Sequence, residues 1–140
     1  VQPWKFHPGD QTYAASDAIE GSYSAYFEDD GETGYFYGCL REGDGINILD
    51  AMQIYNVANV SDRDKQSELY IFWSNTYNKC ALVINGYPHA AFDFVAKRGW
   101  CRTNFPNFER KADGDWMTDD HSWSDDAVEW MGSPEGAEGI

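Results

Sequence analysis

The chain has 140 residues, 42% of them apolar and 16% aromatic, with a formal net charge of −14. That length supports one domain with a sizeable core, and the aromatic content excludes a disordered chain. Such negative charge repels phosphate backbones, so no nucleic-acid partner is expected; a basic protein partner fits it, and plain solubility of an acidic surface is the commoner reading.

Three cysteines, Cys39, Cys80 and Cys101, occur without a C-x-x-C pair. Neither a zinc ribbon nor a disulfide scaffold fits that pattern. Their apolar neighbours predict buried free thiols, with one bridge between adjacent strands as the alternative. No apolar run approaches the roughly 20 residues of a spanning helix, and no secretory signal pattern is present. No membrane partner is expected, and the cytoplasm is the default location. The first residue is Val1 rather than methionine, which reads as a trimmed or processed start.

In chain order, the first period-two run is Tyr23–Glu28, with Tyr23, Ala25 and Phe27 on one face. The second is Tyr35–Leu40. Asp29-Asp30-Gly31-Glu32-Thr33-Gly34 joins them as a hairpin, whose acidic tip is expected to face solvent. Gly31 or Gly34 should supply the positive φ of the turn. "REGDG" is a second turn. "INILDAMQIYNV" then predicts a long strand, bulged near Asp50, with Ile46, Ile48, Met52 and Ile54 alternating. Residues 58–67 are a loop.

"ELYIFWS" and "KCALVING" are strands, and Asn85-Gly86 predicts a type I′ hairpin into "HAAFDFVA". Residues 99–120 show no period. "SWSDDAVEWM" predicts a short helix capped by Ser122 or Ser124, with Trp123, Ala127, Trp130 and Met131 on one face. The fold class is mainly β with one helix (α+β): a single antiparallel β-meander, open or curled into a barrel, with a short C-terminal helix. Residues 1–131 form the domain and 132–140 a flexible tail.

Chemistry is sparse. Asp29, Asp30 and Glu32 are too crowded for the 12-residue calcium loop, and Asp and Gly are what tight turns require. A structural turn is the favoured reading, and no metal is assigned. A Cys80/His89/Asp93 constellation lacks the nucleophile-to-base geometry, since pairing places residue 80 opposite 91 and His89 nearer 82. His89 is read as a hydrogen-bonded histidine at a strand end. No nucleophile elbow, phosphate loop or zinc-helix motif occurs, so no catalytic residue and no cofactor is assigned. The segment Trp116, Asp119, Asp120, His121 and Trp123 combines acid and aromatic groups, which suits a basic partner, although a solvated helix start is the plainer reading. Tyr35, Tyr37, Tyr55, Trp73 and Phe92 could line an aromatic cavity, and ordinary core packing is the plainer reading of those.

The segments "FEDDGETGYFYG", "ILDAMQIYNV" and "ALVINGYPHAAFDF" resemble a bacterial family of small single-domain proteins of unknown function. The likeness covers Tyr23 to Phe94. It implies bacterial origin and transfers no site residue. The reading is a non-catalytic acidic interaction domain, antidote-like toward a basic protein, with a small-molecule binder or enzyme around an aromatic pocket as the alternative. The sequence sets no oligomeric state.

Overall fold

A computed structural model of the chain describes residues 2–108 and 115–132. Among the described residues the strands are β1 (Trp4–Phe6), β2 (Thr12–Asp17), β3 (Tyr23–Asp29), β4 (Thr33–Glu42), β5 (Gly45–Asn56), β6 (Ser67–Trp73), β7 (Lys79–Ile84), β8 (Tyr87–Asp93) and β9 (Arg98–Cys101). A 3-10 turn spans Val57–Asn59 and a 3-10 helix Asp125–Met131. The mainly β, antiparallel character and the short C-terminal helix are as the sequence predicts. The tail expected over 132–140 lies, apart from Gly132, outside the described residues.

The strands divide into two sheets rather than one meander, and the sheets are not closed into a barrel. One sheet has the order β2-β3-β4-β5, the other β1-β6-β7-β8-β9. Tight turns force neighbours to pair, but the polar stretch 58–66 imposes no such constraint. After it β6 pairs with β1, not with β5. The strands β1, β2 and β9 carry little alternation, and the sequence reading placed none of them.

Predicted turns hold in detail. Asn85 (φ 52°) and Gly86 (φ 79°) make the β7–β8 hairpin, and Gly31 (φ 99°) takes the left-handed position in the β3–β4 turn. Register departs by one in the β7–β8 pair: Cys80 faces Phe92 and Ala81 faces Ala91. Leu82 then pairs with Ala90 and Val83 with Pro88, so His89 is the extra residue of a bulge. On β5 the expected bulge is Leu49, skipped between the pairs Gly38↔Asp50 and Cys39↔Ile48. It switches the strand's face. Met52 and Ile54 are buried, whereas Ile46 and Ile48 are exposed.

The sheets share one core, centred on Phe27, Phe36, Met52, Leu69, Leu82 and Phe92. Phe36 and Phe92 stack across it at 5.2 Å. Gly38 and Gly99 admit Phe92: an added Cβ at either would lie 3.1 or 2.8 Å from its ring. All three cysteines are buried free thiols. The C-terminal helix starts at Ser124, whose hydroxyl accepts from Asp126 N–H.

Candidate functional site

Alternation gives the β2–β5 sheet apolar residues on both sides. Ala14, Ala25, Phe27, Phe36 and Met52 join the core. Tyr13, Tyr26, Tyr35, Tyr37 and Cys39 occupy the other side. Tyr26 pairs with Tyr37, Tyr13 with Glu28, and Glu28 with Tyr35. Because the bulge at Leu49 reverses β5, Ile46 and Ile48 pair with Arg41 and Cys39 on that same side. Tyr13 is 61% exposed, Ile46 52% and Ile48 59%. Ordinary strands place polar residues at such positions, so this is an aromatic and aliphatic sheet face that no described element covers.

Internal contacts hold the face rigid. Tyr13 stacks on Tyr26 at 5.6 Å and Tyr35 on Tyr37 at 6.1 Å. The Tyr37 hydroxyl donates to Glu28 Oε1 at 2.9 Å. Burial, then that hydrogen bond to the Glu28 carboxylate, pushes the Tyr37 phenol well above its ordinary range. Ser24 donates to Asp17 Oδ1 at 2.7 Å, and Arg41 lies 3.6 Å from Asp17 Oδ2. The face thus combines rings, branched aliphatics, carboxylates and the Arg41 guanidinium.

The acidic turn beside it is only partly the solvent tip that its sequence suggests. Asp30 is exposed, and its Oδ1 accepts from Glu32 and Thr33 N–H groups, which lower its pKa. Asp29 is instead 1% exposed. Its carboxylate accepts from Gly9 N–H (2.8 Å), Gly31 N–H (2.8 Å) and the Tyr55 hydroxyl (2.6 Å). Asp29 ends β3 on the core-facing side, and the β1–β2 loop folds down to meet it. Hydrogen-bond donors converge there, so the carboxylate ties loops together.

The Trp116–Trp123 cluster does not form a common surface. Trp116 turns inward and meets Phe94 and Phe92 edge-on at 5.7 and 6.2 Å. Asp119 and Asp120 remain outside. Ser122 donates to Asp120 from both its backbone N–H and its hydroxyl, and the hydroxyl bond leads in lowering that carboxyl's pKa. Trp123 lies under the Arg102 guanidinium at 3.8 Å, which also faces Tyr87 at 4.5 Å. His121 is fully buried. Its Nε2 lies 2.7 Å from Asp50 Oδ2, and its Nδ1 lies 3.1 Å from Asn107 Oδ1, which also accepts from His121 N–H. Both ring nitrogens thus lie against side-chain oxygens, Asp50 Oδ2 on one side and Asn107 Oδ1 on the other. Neither sequence distance nor period joins residues 50, 107 and 121, and the sequence reading missed the pair.

The other aromatic set also disperses. Tyr35 and Tyr37 lie on the open face, while Tyr55 and Phe92 pack inward. Trp73 ends β6, stacked on Phe94 and donating to Ser16 Oγ. Nucleophilic chemistry finds no support at Cys39 or Cys80. Burial pushes Cys39 up to about 12 and Cys80 higher still. Cys80 belongs to the core, whereas His89 packs edge-on against exposed Tyr87 at 5.2 Å.

A model of the family described as "Uncharacterized protein conserved in bacteria (DUF2251)" matches residues 6–131. An uncharacterized protein of Haemophilus influenzae (strain Rd) is similar, 39% identical over 84 residues, which is 60% of this chain and 52% of the relative. The match therefore spans about half the relative's own length. No solved structure matches. The family match reaches beyond both ends of the Tyr23–Phe94 resemblance.

Proposed function

The chain belongs to this conserved bacterial family, and we propose that it is a non-catalytic, acidic interaction domain that binds a basic protein segment on the open face of the β2–β5 sheet. The carrying observation is the exposure of Tyr13, Ile46 and Ile48 on a face already lined by Tyr35 and Tyr37. Contiguous exposed apolar surface is a mark of interaction sites, and tyrosine is a favoured anchor in them. Cations gain further from tyrosine ring faces, and Glu28 stands among those rings to receive them, whereas Asp17 is already paired with Arg41. The net charge of −14 would steer such a partner toward the chain. An antidote-like role against a basic toxin is the sharpest form of this reading.

A short peptide of alternating lysine and leucine, with a fluorescent tag, is the probe. Titration should saturate at one peptide per chain and weaken with salt. The double substitution Tyr13→Ser and Ile48→Ser should weaken binding about tenfold or more. Asp125→Asn with Asp126→Asn, on the C-terminal helix, should have little effect. An equal loss from both pairs would reduce the interaction to general charge attraction and defeat the proposal. A dimer in sedimentation that the Tyr13/Ile48 substitutions dissociate would assign the face to a second copy of the chain instead.

A further inference from the structure

On the opposite side of the same strands, a cavity of about 870 Å³ opens between β4, β5 and the residues around Trp116. Its apolar wall is made chiefly by Tyr23, Leu40, Leu49, Phe94, Phe108 and Trp116, with Ile48 at its rim. Tyr23 stacks on Phe94 at 4.3 Å, and Trp116 meets Phe94 edge-on, so three rings form a fixed corner. Tyr23, Leu40, Leu49 and Trp116 are each only half-buried, and Phe108 is 54% exposed. Burying that wall would release water from apolar surface. The volume lies within the roughly 300–1,000 Å³ of small-molecule sites.

The charged groups lining the cavity decide what it would accept. They are Asp50, Lys97 and Asp115. Asp50 is closed off by His121 on one oxygen and the Ala51 N–H on the other. Lys97 Nζ and Asp115 Oδ2 meet at 2.7 Å. Each charge on the lining thus has an opposite partner within the protein. An ionic ligand would have to compete with those pairs, and an anion would also face the net negative charge of the chain. Asn47 and Thr118 add neutral polar groups at the wall. Thr118 donates its hydroxyl proton to Phe108 O at 3.3 Å, which leaves its oxygen as an acceptor.

We propose that this cavity is a binding site for an uncharged, largely apolar, ring-bearing small molecule. The site borders the partner face at Ile48, which lines its rim, but its other walls are the inward side of β4 and β5 together with Phe94, Lys97, Phe108, Asp115, Trp116 and Thr118. The test uses two fluorescent probes of similar shape, neutral N-phenyl-1-naphthylamine and anionic anilinonaphthalene sulfonate. The neutral probe should bind saturably, one per chain, with energy transfer from tryptophan, and should outcompete the anionic one. Leu40→Trp, which fills the cavity, should weaken the neutral probe about tenfold or more. Leu49→Arg, which places a charge on the wall, is the second variant, and melting curves confirm that each variant is folded. Tyr13→Ala on the other side of the sheet should leave probe affinity unchanged. Non-saturating binding, equal or tighter binding of the anionic probe, or unchanged affinity in both folded wall variants would overturn the proposal. Loss of binding in Tyr13→Ala would place the probe on the open face and overturn it as well.

Discussion

The outer faces of the two sheets start from the same pattern and end differently. On the five-stranded sheet, Ala81, Val83 and Ala91 point away from the core and are nonetheless buried. The C-terminal 3-10 helix lies against β8, and Arg102 is held between Tyr87 and Trp123. On the four-stranded sheet, Tyr26 and Cys39 are buried among neighbouring side chains, whereas Tyr13, Ile46 and Ile48 stay in water. A sheet that is apolar on both faces needs two covers. The first sheet obtains part of its second cover from its own chain. Among the described residues the other sheet obtains none, which is why a partner is proposed for it.

Substitutions separate the buried contacts from the open face, and the largest effect belongs to the side chains between the sheets. His121→Ala leaves the Asp50 carboxylate buried without its partner and should cost about 3–5 kcal/mol in urea unfolding. It should also speed hydrogen exchange across residues 115–132, the segment His121 anchors. Asp29→Ala removes three hydrogen bonds at the end of β3, beside the open face, and should cost on the order of 3 kcal/mol. The sequence reading of Asp29 as a solvated turn residue would instead place that cost within about 0.5 kcal/mol.

His89 gives the covered face a pH signature. Burial first, and the Arg102 charge second, lower its pKa from 6.5 to about 4. The folded protein therefore binds fewer protons here than the unfolded chain does. The stability contribution is fully present above pH 6.5, falls as pH drops toward about 4, and levels off below that. Urea unfolding across this window should show a shallower slope for His89→Gln than for the parent chain. Arg102→Ala should cost about 1 kcal/mol through its two ring contacts and raise the His89 pKa, visible by NMR titration. The smallest effect is expected on the open face. Tyr13→Ala should change stability by no more than about 0.5 kcal/mol while weakening peptide binding. A large loss of stability there would mean that the face is already covered within the chain.

Much of this fold was legible because hairpins are local. Asn85-Gly86 and the acidic turn fix pairings from a few adjacent residues, and β3, β4, β7 and β8 follow from them. The split into two sheets was not legible, since it turns on whether β6 meets β5 or β1 across a polar loop. The open face was half legible. Tyr35 and Tyr37 stood out as aromatics, but their side of the sheet depends on which alternate set is larger and better packed. Ile46 and Ile48 read as alternating with Met52 and Ile54 along one strand, and the bulge, expected near Asp50 and found at Leu49, puts the two pairs on opposite faces. His121 was picked out for the right segment and the wrong reason. Its partner Asp50 lies 71 residues away, and no spacing rule connects them.

The central claim is most directly tested by chemical-shift mapping of the isotopically labelled chain titrated with the lysine–leucine peptide. The account predicts saturating shifts at Tyr13, Glu28, Tyr35, Tyr37, Ile46 and Ile48, with the amides of Ala91 and of residues 125–131 unmoved. Shifts centred on the C-terminal helix, or spread over every acidic position without saturation, would contradict it.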